Sequence, residues 1–390
     1  MHNFNYYVPT DIFFGKGQIS QLPAQIKKYG SSVLLVYGGG SIKKTGIYDT
    51  IVNQMKENGI PFQELSGVEP NPRIQSVYAG VKLCREHGID VVLGVGGGSS
   101  IDCAKAIAAG VKYDGDAWDL FKNPSLIQDA LPVLSVLTIS ATGSEMDGFS
   151  VVTNLETKDK IGVCANCMIP KASILDPTYT YTVPKFQTAS GIADIMSHIL
   201  ETYFNTTEET FISDRISEGL LKACLKYGKT AVEDPTNYEA RANLMWCSSL
   251  AINGITKASV DFSNFSWTCH AIEHPLSAFY DVTHGAGLAI LTPNWMEYVL
   301  SDKTVDKFAE YGINVFGIDA AKDRYDIAKE AIAKTKEFLV SLGLPMSLKD
   351  LGIADESNFE AMAEKAVART SIGFVSLNKE DVVQILKMCM

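Results

Sequence analysis

An aspartate and a histidine interrupt a mostly apolar stretch, GIADIMSHILE, at residues 191–201. Asp194 and His198 are four residues apart, and this spacing places two side chains on the same face of an α-helix. A carboxylate and an imidazole on adjacent turns of one helix can supply an oxygen and a nitrogen ligand to a metal ion. The pair is therefore the first candidate for chemistry in this sequence.

A second stretch, SWTCHAIEHPLSAFYDVTHGAG at residues 266–287, adds His270, His274 and His284. A lone histidine in an apolar helix is usually a core residue that has a hydrogen-bond partner. Four histidines with an aspartate favour a metal site instead, in which two of the three later imidazoles complete a shell of four ligands. Carboxylate and imidazole ligands suit Fe²⁺ or Zn²⁺ better than Ca²⁺ or Mg²⁺. One histidine then remains for proton transfer or for contact with a cofactor.

The sequence GGGS occurs twice at the end of an apolar run, at residues 38–41 and 96–99. Glycines between a strand and a helix let backbone N–H groups approach a phosphate closely. The second loop leads into a helical pattern in which Ser99 or Ser100 can cap the first turn and Asp102 resembles the acid of a capping box. We expect a pyrophosphate at this helix start. The pattern G-x-G-x-x-G is absent, and a flexible turn is the alternative for either loop taken alone.

The first glycine loop bears on the choice of dinucleotide. Enzymes that use the unphosphorylated dinucleotide usually place an acidic residue after a strand, where it binds the ribose hydroxyls. Here the strand predicted at 33–37 is followed by three glycines, Ser41, Lys43 and Lys44, with no carboxylate among them. Small residues, a hydroxyl group and nearby positive charge favour a 2′-phosphate, so the sequence predicts NADP(H) rather than NAD(H).

Hydrophobic periodicity divides the chain into two parts. In the first part, short apolar runs alternate with helical patterns, which is typical of a parallel sheet with helices on both faces. A hairpin at 151–165 and a last strand at 172–177 follow, and after Pro184 the period is helical to the end. We therefore predict a Rossmann-like α/β dinucleotide-binding domain at 1–183 and an all-α domain, carrying the metal-binding and catalytic residues, at 184–390.

Composition and charge argue against several kinds of partner. The chain has 390 residues and a net charge of −11 without a basic stripe, which disfavours nucleic acid and anionic membranes. It has no signal-peptide pattern and no apolar run long enough to cross a bilayer. Its eight cysteines are scattered, and the only C-x-x-C pair, Cys164 and Cys167, lacks a second pair with which to bind zinc. We expect a cytoplasmic protein with reduced thiols.

Eight segments of the chain carry a family resemblance. They are FFGKG (13–17), YGGGSIKKTG (37–46), GVEPNPR (67–73), GVGGGSSIDCAK (94–105), ATGSEMD (141–147), LDPTYTYTVP (175–184), GIADIMSHILE (191–201) and the stretch 266–287. With these segments in this order over essentially its whole length, the chain resembles the iron-containing (group III) alcohol dehydrogenases, and among them the NADPH-dependent butanol dehydrogenases and aldehyde reductases. The resemblance implies a dehydroquinate synthase-like fold and, as in many family members, a homodimer.

The resemblance also implies that Asp194, His198, His270 and His284 bind the metal and that His274 is the histidine near the nicotinamide. A divalent ion supplies Lewis acidity toward an aldehyde or alcohol oxygen, and the nicotinamide supplies or accepts a hydride. His274 would then relay a proton to the substrate oxygen, through water or a ribose hydroxyl. The predicted function is metal-dependent hydride transfer between NADP(H) and a short-chain aliphatic aldehyde or alcohol, such as butanal or butan-1-ol.

Residues in both glycine loops and in the segments beside them would bind the dinucleotide, by the same resemblance. Those facing the adenosine 2′-phosphate would be Gly38, Gly39 and Ser41, with Asn71 near the adenine ribose. The pyrophosphate would bind Gly96, Gly97, Gly98 and Ser99. The rest of the dinucleotide would be lined by Asp102, Thr138, Thr142 and Lys160.

Two other functions fit parts of the sequence. A lyase of the dehydroquinate synthase type uses the same fold, a dinucleotide and a metal, but it needs lysines and arginines for a charged substrate, and residues 258–300 contain none. A dinucleotide-binding sensor with a structural metal would need no catalytic residue. Aromatic side chains near the motifs fit a short aliphatic substrate, with ordinary helix packing as the alternative. They are Phe149, Phe262, Phe265, Trp267, Phe279 and Tyr280.

Overall fold

A six-stranded parallel sheet and a two-stranded hairpin organise the first part of the chain, in a computed structural model that describes all 390 residues. The strands are β1 (Asp11–Phe14), β2 (Val33–Tyr37), β3 (Phe62–Leu65), β4 (Val91–Gly96), β5 (Val133–Leu137), β6 (Phe149–Asn154), β7 (Asp159–Cys164) and β8 (Ala172–Leu175). The sheet has the order β1-β8-β5-β4-β2-β3 with all neighbours parallel, and β6 pairs with β7 in the antiparallel hairpin. The predicted parallel sheet is confirmed, whereas the short edge strand β1 was not predicted.

The helices cover the sheet in the first part of the chain and make up nearly all of the second part. They are α1 (Leu22–Tyr29), α2 (Ser41–Lys44), α3 (Ile47–Glu57), α4 (Ile74–His87), α5 (Gly98–Val111), α6 (Asp119–Lys122), α7 (Lys185–Tyr203), α8 (Phe211–Glu233), α9 (Tyr238–Ile252), α10 (Thr268–Tyr280), α11 (His284–Val299), α12 (Val305–Phe316), α13 (Arg324–Ser341), α14 (Phe359–Thr370) and α15 (Lys379–Met388). None of them is both long enough and apolar enough to cross a membrane.

Strand β2 shows why the sheet is covered on both faces. Its five residues are all buried, and successive side chains of a strand point to opposite faces. Leu34 and Val36 belong to one hydrophobic cluster together with residues of α4 and α5. Val33 and Leu35 belong to another cluster together with residues of α1 and α3. A strand buried on both faces reads as a continuous apolar run, which is the pattern that the sequence carries.

The chain forms two compact units. The sheet unit contains residues 7–183 and 235–253, and the helical unit contains residues 1–6, 184–234 and 254–390. The single division predicted between residues 183 and 184 therefore needs a correction, because α9 belongs to the sheet unit. Met245 of α9 packs against Ile101, Leu137 and Leu175, and the ring of Trp246 lies 6.1 Å from that of Phe14. The sequence shows the helical period of α9 but not the surface on which it packs.

Candidate metal centre and dinucleotide loops

Three helices of the helical unit carry the predicted metal ligands. Asp194 and His198 lie on α7, which is buried from Thr188 through Tyr203, so that the two side chains project from a helix that solvent scarcely reaches. His270 is near the start of α10, and His284 is the first residue of α11. The carboxylate and the imidazoles thus come from elements that pack closely within one unit.

One carboxylate oxygen faces three imidazole nitrogens. Asp194 Oδ1 lies 3.6 Å from His198 Nδ1, 3.7 Å from His270 Nε2 and 3.7 Å from His284 Nε2. Ligand atoms about 2.1 Å from a tetrahedral ion are roughly 3.4 Å from one another, so these separations are close to those of a first shell. Asp194, His270 and His284 form the compact ligand group, with their ligand atoms within 4.8 Å of one another. His198 joins this group through its contact with Asp194.

The buried atoms at this site also fit a metal ion. Asp194 Oδ1, His198 Nδ1 and His270 Nε2 are buried and have no hydrogen-bond partner in the protein. Buried polar atoms normally have partners, because leaving them unsatisfied costs free energy. A divalent cation would satisfy all three at once, and nitrogen and oxygen donors of this kind are ligands of Fe²⁺ and Zn²⁺. The donor set therefore fits the predicted metal.

Burial and mutual charge set the protonation of the cluster. Burial opposes ionisation of Asp194, but the facing imidazoles of His198, His270 and His284 hold the pKa of its carboxyl well below its usual value. Burial lowers the pKa of His198 to about 3, so its ring is neutral, as a metal ligand must be. Burial also disfavours the charged form of His270, yet the carboxylates of Glu201 and Asp194 raise its pKa to about 10. A metal that binds His270 therefore displaces a proton.

Two buried glutamates to which the sequence analysis assigned no role contact the histidines. Glu201 lies beside Nδ1 of His270, and Glu273 lies beside Nδ1 of His284. Both carboxylates therefore meet the ring nitrogen opposite the one that faces Asp194. In the sequence, each glutamate is marked only as a charged residue within an apolar helix pattern. Periodicity alone does not show which histidine such a residue contacts.

His274 lies beside the ligand cluster without belonging to its compact group. Its ring centroid is 6.3 Å from that of His270 and 5.8 Å from that of His284, and the residue is 8% exposed. It forms a second close group with Glu273 and His284. The predicted separation of one histidine from the ligands is thus compatible with where the ring lies.

Two glycines after His284 allow close helix packing. A Cβ atom on Gly285 would overlap the main-chain oxygen of Ser190 in α7. A Cβ atom on Gly287 would lie 3.0 Å from Cγ of Glu273, which is tighter than ordinary packing. The sequence His-Gly-x-Gly therefore brings α11 against α7 and leaves room for Glu273, and both effects place the imidazole of His284.

The loop between β4 and α5 is shaped by equally close contacts in the sheet unit. Gly96 has φ +152°, and a Cβ atom there would lie 2.6 Å from Ser100 Oγ. Cβ atoms on Gly97 and Gly98 would overlap Ile139 and Thr142. The glycines thus let the carboxyl end of β4 pack against the segment after β5, so packing is a second reason for them besides phosphate binding.

The start of α5 differs from the prediction. Gly97 is the N-cap residue and no side chain caps the helix, so the predicted cap by Ser99 or Ser100 is wrong. The predicted capping box is wrong as well, because Asp102 Oδ1 accepts a hydrogen bond from Ser144 Oγ (2.5 Å) and Oδ2 accepts one from Val151 N (2.9 Å). The first turn of α5 keeps uncapped N–H groups, which is the condition for binding an anion.

Asp102 is buried and makes its contacts within the protein. Asp102 is 8% exposed, and burial raises the pKa of its carboxyl to about 6, against the opposing charge of Lys105. Lys105 Nζ in turn lies 2.8 Å from Asp147 Oδ1 and donates to Ser144 Oγ at 2.8 Å. These contacts tie α5 to the segment before the hairpin, so both oxygens of Asp102 are engaged within the protein.

The first glycine loop is followed by a cluster of charge and aromatic rings. Lys43 Nζ lies 5.2 Å from the ring centroid of Tyr37 and 4.5 Å from that of Tyr48. Both tyrosine hydroxyls donate to Glu64 of β3, at 2.7 and 2.8 Å. The loop itself contains no carboxylate, and its sequence does not predict that one approaches from the neighbouring strand. A Cβ atom on Gly39 meets nothing within 4 Å, so that position is open.

The remaining predicted dinucleotide residues fall into two places in the sheet unit. Thr138 follows β5, where its N–H donates to the oxygen of Gly96 at 2.9 Å, and Thr142 contacts Gly98. Lys160 on β7 pairs with Thr153, whose N–H donates to the oxygen of Pro72 at 2.8 Å. The segment of Asn71, which has φ 54°, therefore runs beside the hairpin. The structure gathers the second glycine loop with the two threonines and separately places Asn71 near Lys160.

The chain combines a Rossmann-like unit with a helical unit that carries a carboxylate–histidine cluster, and family models match both parts. Residues 9–177 match the family model described as iron-containing alcohol dehydrogenase, and residues 188–390 match that of the C-terminal part of the Fe-containing alcohol dehydrogenase family. The chain belongs to the iron-containing alcohol dehydrogenase family and is an oxidoreductase of the alcohol dehydrogenase type. The family implies a nicotinamide cofactor and iron.

Relatives named for both dinucleotides cover nearly the whole chain. NADH-dependent butanol dehydrogenase A of Clostridium acetobutylicum is 57% identical over 99% of this chain and 99% of its own. NADPH-dependent aldehyde reductase YqhD of Escherichia coli is 38% identical over 94% of this chain and 93% of its own. The crystal structure of NADH-dependent butanol dehydrogenase A from Thermotoga maritima matches with a TM-score of 0.94 at 42% identity, covering 100% of this chain and 99% of that one.

Proposed function

We propose that the protein transfers hydride between NADP(H) and short-chain aliphatic aldehydes or alcohols, such as butanal and butan-1-ol. Asp194, His198, His270 and His284 would hold one Fe²⁺ or Zn²⁺. The observation that carries this proposal is the single carboxylate oxygen of Asp194 at 3.6–3.7 Å from three imidazole nitrogens. The relatives named butanol dehydrogenase and aldehyde reductase support the substrate class.

Each group of residues has a separate task in this reaction. The bound ion supplies Lewis acidity to the substrate oxygen, and the nicotinamide supplies or accepts the hydride. Asp194, His198 and His270 are buried and His284 is partly exposed, so these residues would hold the ion where its electrostatic effect is stronger than in water. His274, beside the cluster, moves the proton that the substrate oxygen gains in reduction or loses in oxidation.

The dinucleotide would bind along both glycine loops of the sheet unit. The uncapped first turn of α5, with Gly96, Gly97, Gly98 and Ser99, would hold the pyrophosphate. Thr138, Thr142, Asn71, Lys160 and the backbone near Asp102 would line the rest.

The preference for NADP(H) rests on the first loop. Gly39 is open and Ser41 is exposed, which leaves room for a 2′-phosphate beside Gly38, and the charge of Lys43 is near. Glu64, which accepts hydrogen bonds from Tyr37 and Tyr48, brings a negative charge that disfavours a 2′-phosphate. We therefore expect a moderate rather than absolute preference for NADPH over NADH. The proposal also includes a cytoplasmic location, from the scattered thiols, and a homodimer, from the family resemblance.

The direct test is oxidation of NADPH and of NADH by butanal, using protein stripped of metal and reloaded with Fe²⁺ or Zn²⁺. We expect activity only after reloading, with a higher kcat/KM for NADPH than for NADH. Asp194→Ala should bind no metal and show no activity with either ion. Activity that is equal with and without metal would contradict the metal-dependent mechanism, and absence of any dinucleotide oxidation would favour a sensor.

A variant of the first loop tests the cofactor assignment. Gly39→Asp places a carboxylate where a side chain meets no other atom within 4 Å. It should repel the 2′-phosphate and bind the ribose hydroxyls, so the ratio of kcat/KM for NADPH to that for NADH should fall at least about tenfold. Gly39→Ser is the matched control, because it adds a side chain without a charge. A ratio that Gly39→Asp leaves unchanged would place the adenosine elsewhere.

A further inference from the structure

Glu201 is a buried carboxylate whose two oxygens are both used at the start of α10. It lies on α7, is 3% exposed, and contacts Nδ1 of His270 through Oε1. Its Oε2 accepts hydrogen bonds from the N–H groups of Cys269 (2.7 Å) and His270 (3.4 Å), and Ser197 Oγ donates to Oε1 at 3.1 Å. The carboxylate therefore fixes both the main chain and the ring of His270.

Glu273 makes the corresponding contact for His284. It lies on α10, is fully buried, and contacts Nδ1 of His284 through Oε2. Ser277 Oγ, one turn further along α10, donates to its Oε1. The absence of a side chain at Gly287 leaves the space that the Glu273 side chain occupies. Two different helices thus provide one glutamate for each of two predicted metal ligands.

The two contacts have the same consequence for the rings. A carboxylate at Nδ1 accepts the ring proton there, so the lone pair of the neutral imidazole is on Nε2. In both histidines Nε2 is the atom that lies 3.7 Å from Asp194 Oδ1. Both rings therefore have the orientation required for binding a metal next to Asp194, and the carboxylate at Nδ1 selects the required tautomer of His270 once its second proton has left.

His198 has no carboxylate of this kind. Its ring is stacked on that of His270 with centroids 4.6 Å apart, and it meets the edge of Trp267 at 5.8 Å. Its Nδ1 is buried without a hydrogen-bond partner. His270 and His284 are thus oriented by carboxylates before a metal binds, whereas His198 is held by its helix, by the neighbouring rings and by its approach to Asp194.

We propose that Glu201 and Glu273 are positioning residues that set the tautomer and orientation of His270 and His284 and thereby raise the affinity of the site for its metal. The inference rests on the proposed metal site and adds two residues to it. Carboxylates that orient ligand histidines typically contribute a factor of about 10–100 to metal affinity. Neither glutamate is proposed to touch the metal, the substrate or the dinucleotide.

The test compares metal affinity among variants that lose one negative charge. Glu201→Gln and Glu273→Gln keep an oxygen that can accept a hydrogen bond but remove the ionised carboxylate. Glu218→Gln is the matched control: Glu218 is buried in the same unit, where its Oε1 accepts hydrogen bonds from Arg215 (2.5 Å), Tyr203 (2.9 Å) and Asn314 (2.9 Å) and contacts no predicted ligand. Dissociation constants for Zn²⁺ are measured by competition with a chromophoric chelator, and thermal unfolding is measured on the metal-free proteins.

We expect Zn²⁺ to bind about 10–100-fold more weakly to Glu201→Gln and Glu273→Gln than to the wild type, and Glu218→Gln to bind it normally. The visible spectrum of bound Co²⁺ should also change in the first two variants only. If a glutamine variant does not fold, Glu201→Asp or Glu273→Asp replaces it, because aspartate keeps the charge and withdraws the carboxylate from the ring.

Two results would contradict the proposal in different ways. Affinities of both glutamine variants within twofold of the wild type, with an unchanged Co²⁺ spectrum, would mean that the glutamates only fill the core, while the metal site itself stands. A wild-type protein that binds neither Zn²⁺ nor Fe²⁺ would overturn the metal site and the proposed function together.

Discussion

Asp194 is the residue on which the candidate site depends. A carboxylate taken out of water costs several kcal/mol unless charges or hydrogen bonds compensate it. Its Oδ1 has no hydrogen-bond donor, and three imidazole nitrogens surround it instead. In the metal-free protein the protonated ring of His270, whose pKa is about 10, offsets part of this cost, whereas the ring of His198 is neutral. We infer that a divalent cation would compensate the buried carboxylate more fully than these rings do, so the cluster is suited to binding an ion.

Glu145 in the sheet unit offers a test of how burial affects a carboxyl group away from the metal. It is fully buried, and burial raises its pKa from 4.5 to about 7, although Ser249 donates a hydrogen bond to it. A raised pKa means that the folded state favours the protonated form. The stabilisation is therefore complete below about pH 4.5 and is lost as the pH rises through about 7. We predict that Glu145→Gln removes this pH dependence.

The measurement is urea unfolding of the metal-free protein between pH 5 and pH 8. The wild-type free energy of unfolding should fall relative to that of Glu145→Gln by up to about 3 kcal/mol over this range. Glu86→Gln is the control, because Glu86 is a half-exposed residue on α4. Parallel pH profiles for wild type and Glu145→Gln would show that the carboxyl group is ionised throughout.

At this scale, the sequence indicates which residues come together at the candidate site but not which residues orient them. Asp194 and His198 follow from their spacing of four on one helix, and the later histidines follow from their clustering in the chain. Glu201 contacts His270 from 69 residues away. Such a contact depends on how two helices pack, and no local pattern encodes it.

The position of His284 is set by the packing of α11 against α7, and Gly285 permits this packing. The main chain of α11 can come close to the main chain of α7 only at a residue of α11 that has no side chain. Gly285 meets the main chain of Ser190 in this way. Local propensity disfavours glycine in a helix by about 1 kcal/mol relative to alanine, so its presence here has a packing reason.

We predict that Gly285→Ala is destabilising and also weakens the metal site. Its Cβ would overlap a main-chain oxygen that cannot rotate away, so α11 must shift, and His284 shifts with it. Overpacking of this kind costs typically 1–3 kcal/mol. The free energy of unfolding without metal and the dissociation constant for Zn²⁺ measure the two effects.

Gly219→Ala is the control for this helix variant. Gly219 lies within α8 of the same unit, and a Cβ there meets nothing within 4 Å. Alanine at that position should stabilise the protein by about 0.5–1 kcal/mol without changing metal affinity. Equal effects of the two substitutions would mean that Gly285 has no special role in packing.

The elements themselves were largely readable from the sequence, because apolar period and stop glycines are local signals. The apolar run DVVLGV at 90–95 predicts a strand and SSIDCAKAIAAG at 99–110 predicts a helix, and both agree within one residue with the observed β4 and α5. The contacts between elements that are distant in sequence could not be predicted in this way. Asp102 looked like a capping residue from its distance to Ser99, but its partners Ser144 and Val151 lie 42 and 49 residues further along the chain. α9 likewise gave a helical period without indicating that it packs against the sheet.

Over the whole molecule, the proposed metal site depends on side chains that are far apart in sequence. α7, α10 and α11 supply them, so an ion at this site would connect three helices of the helical unit. Glu201 of α7 contacts His270 of α10, and Glu273 of α10 contacts His284 of α11, so the two glutamates link the same helices. A ligand that binds only the folded state stabilises it by an amount that grows with its concentration relative to the dissociation constant.

We predict that removing the metal lowers the thermal stability of the protein. At a free metal concentration a thousand times the dissociation constant, the folded state gains about 4 kcal/mol, and this gain disappears with a chelator. Calorimetry of the wild type with added Zn²⁺ and with chelator should therefore show a transition that moves to higher temperature with metal. Asp194→Ala should unfold at the same temperature under both conditions, because it lacks the oxygen that all three imidazoles face. If Asp194→Ala gains as much stability from Zn²⁺ as the wild type does, the ion binds elsewhere on the chain and the four-ligand assignment is wrong.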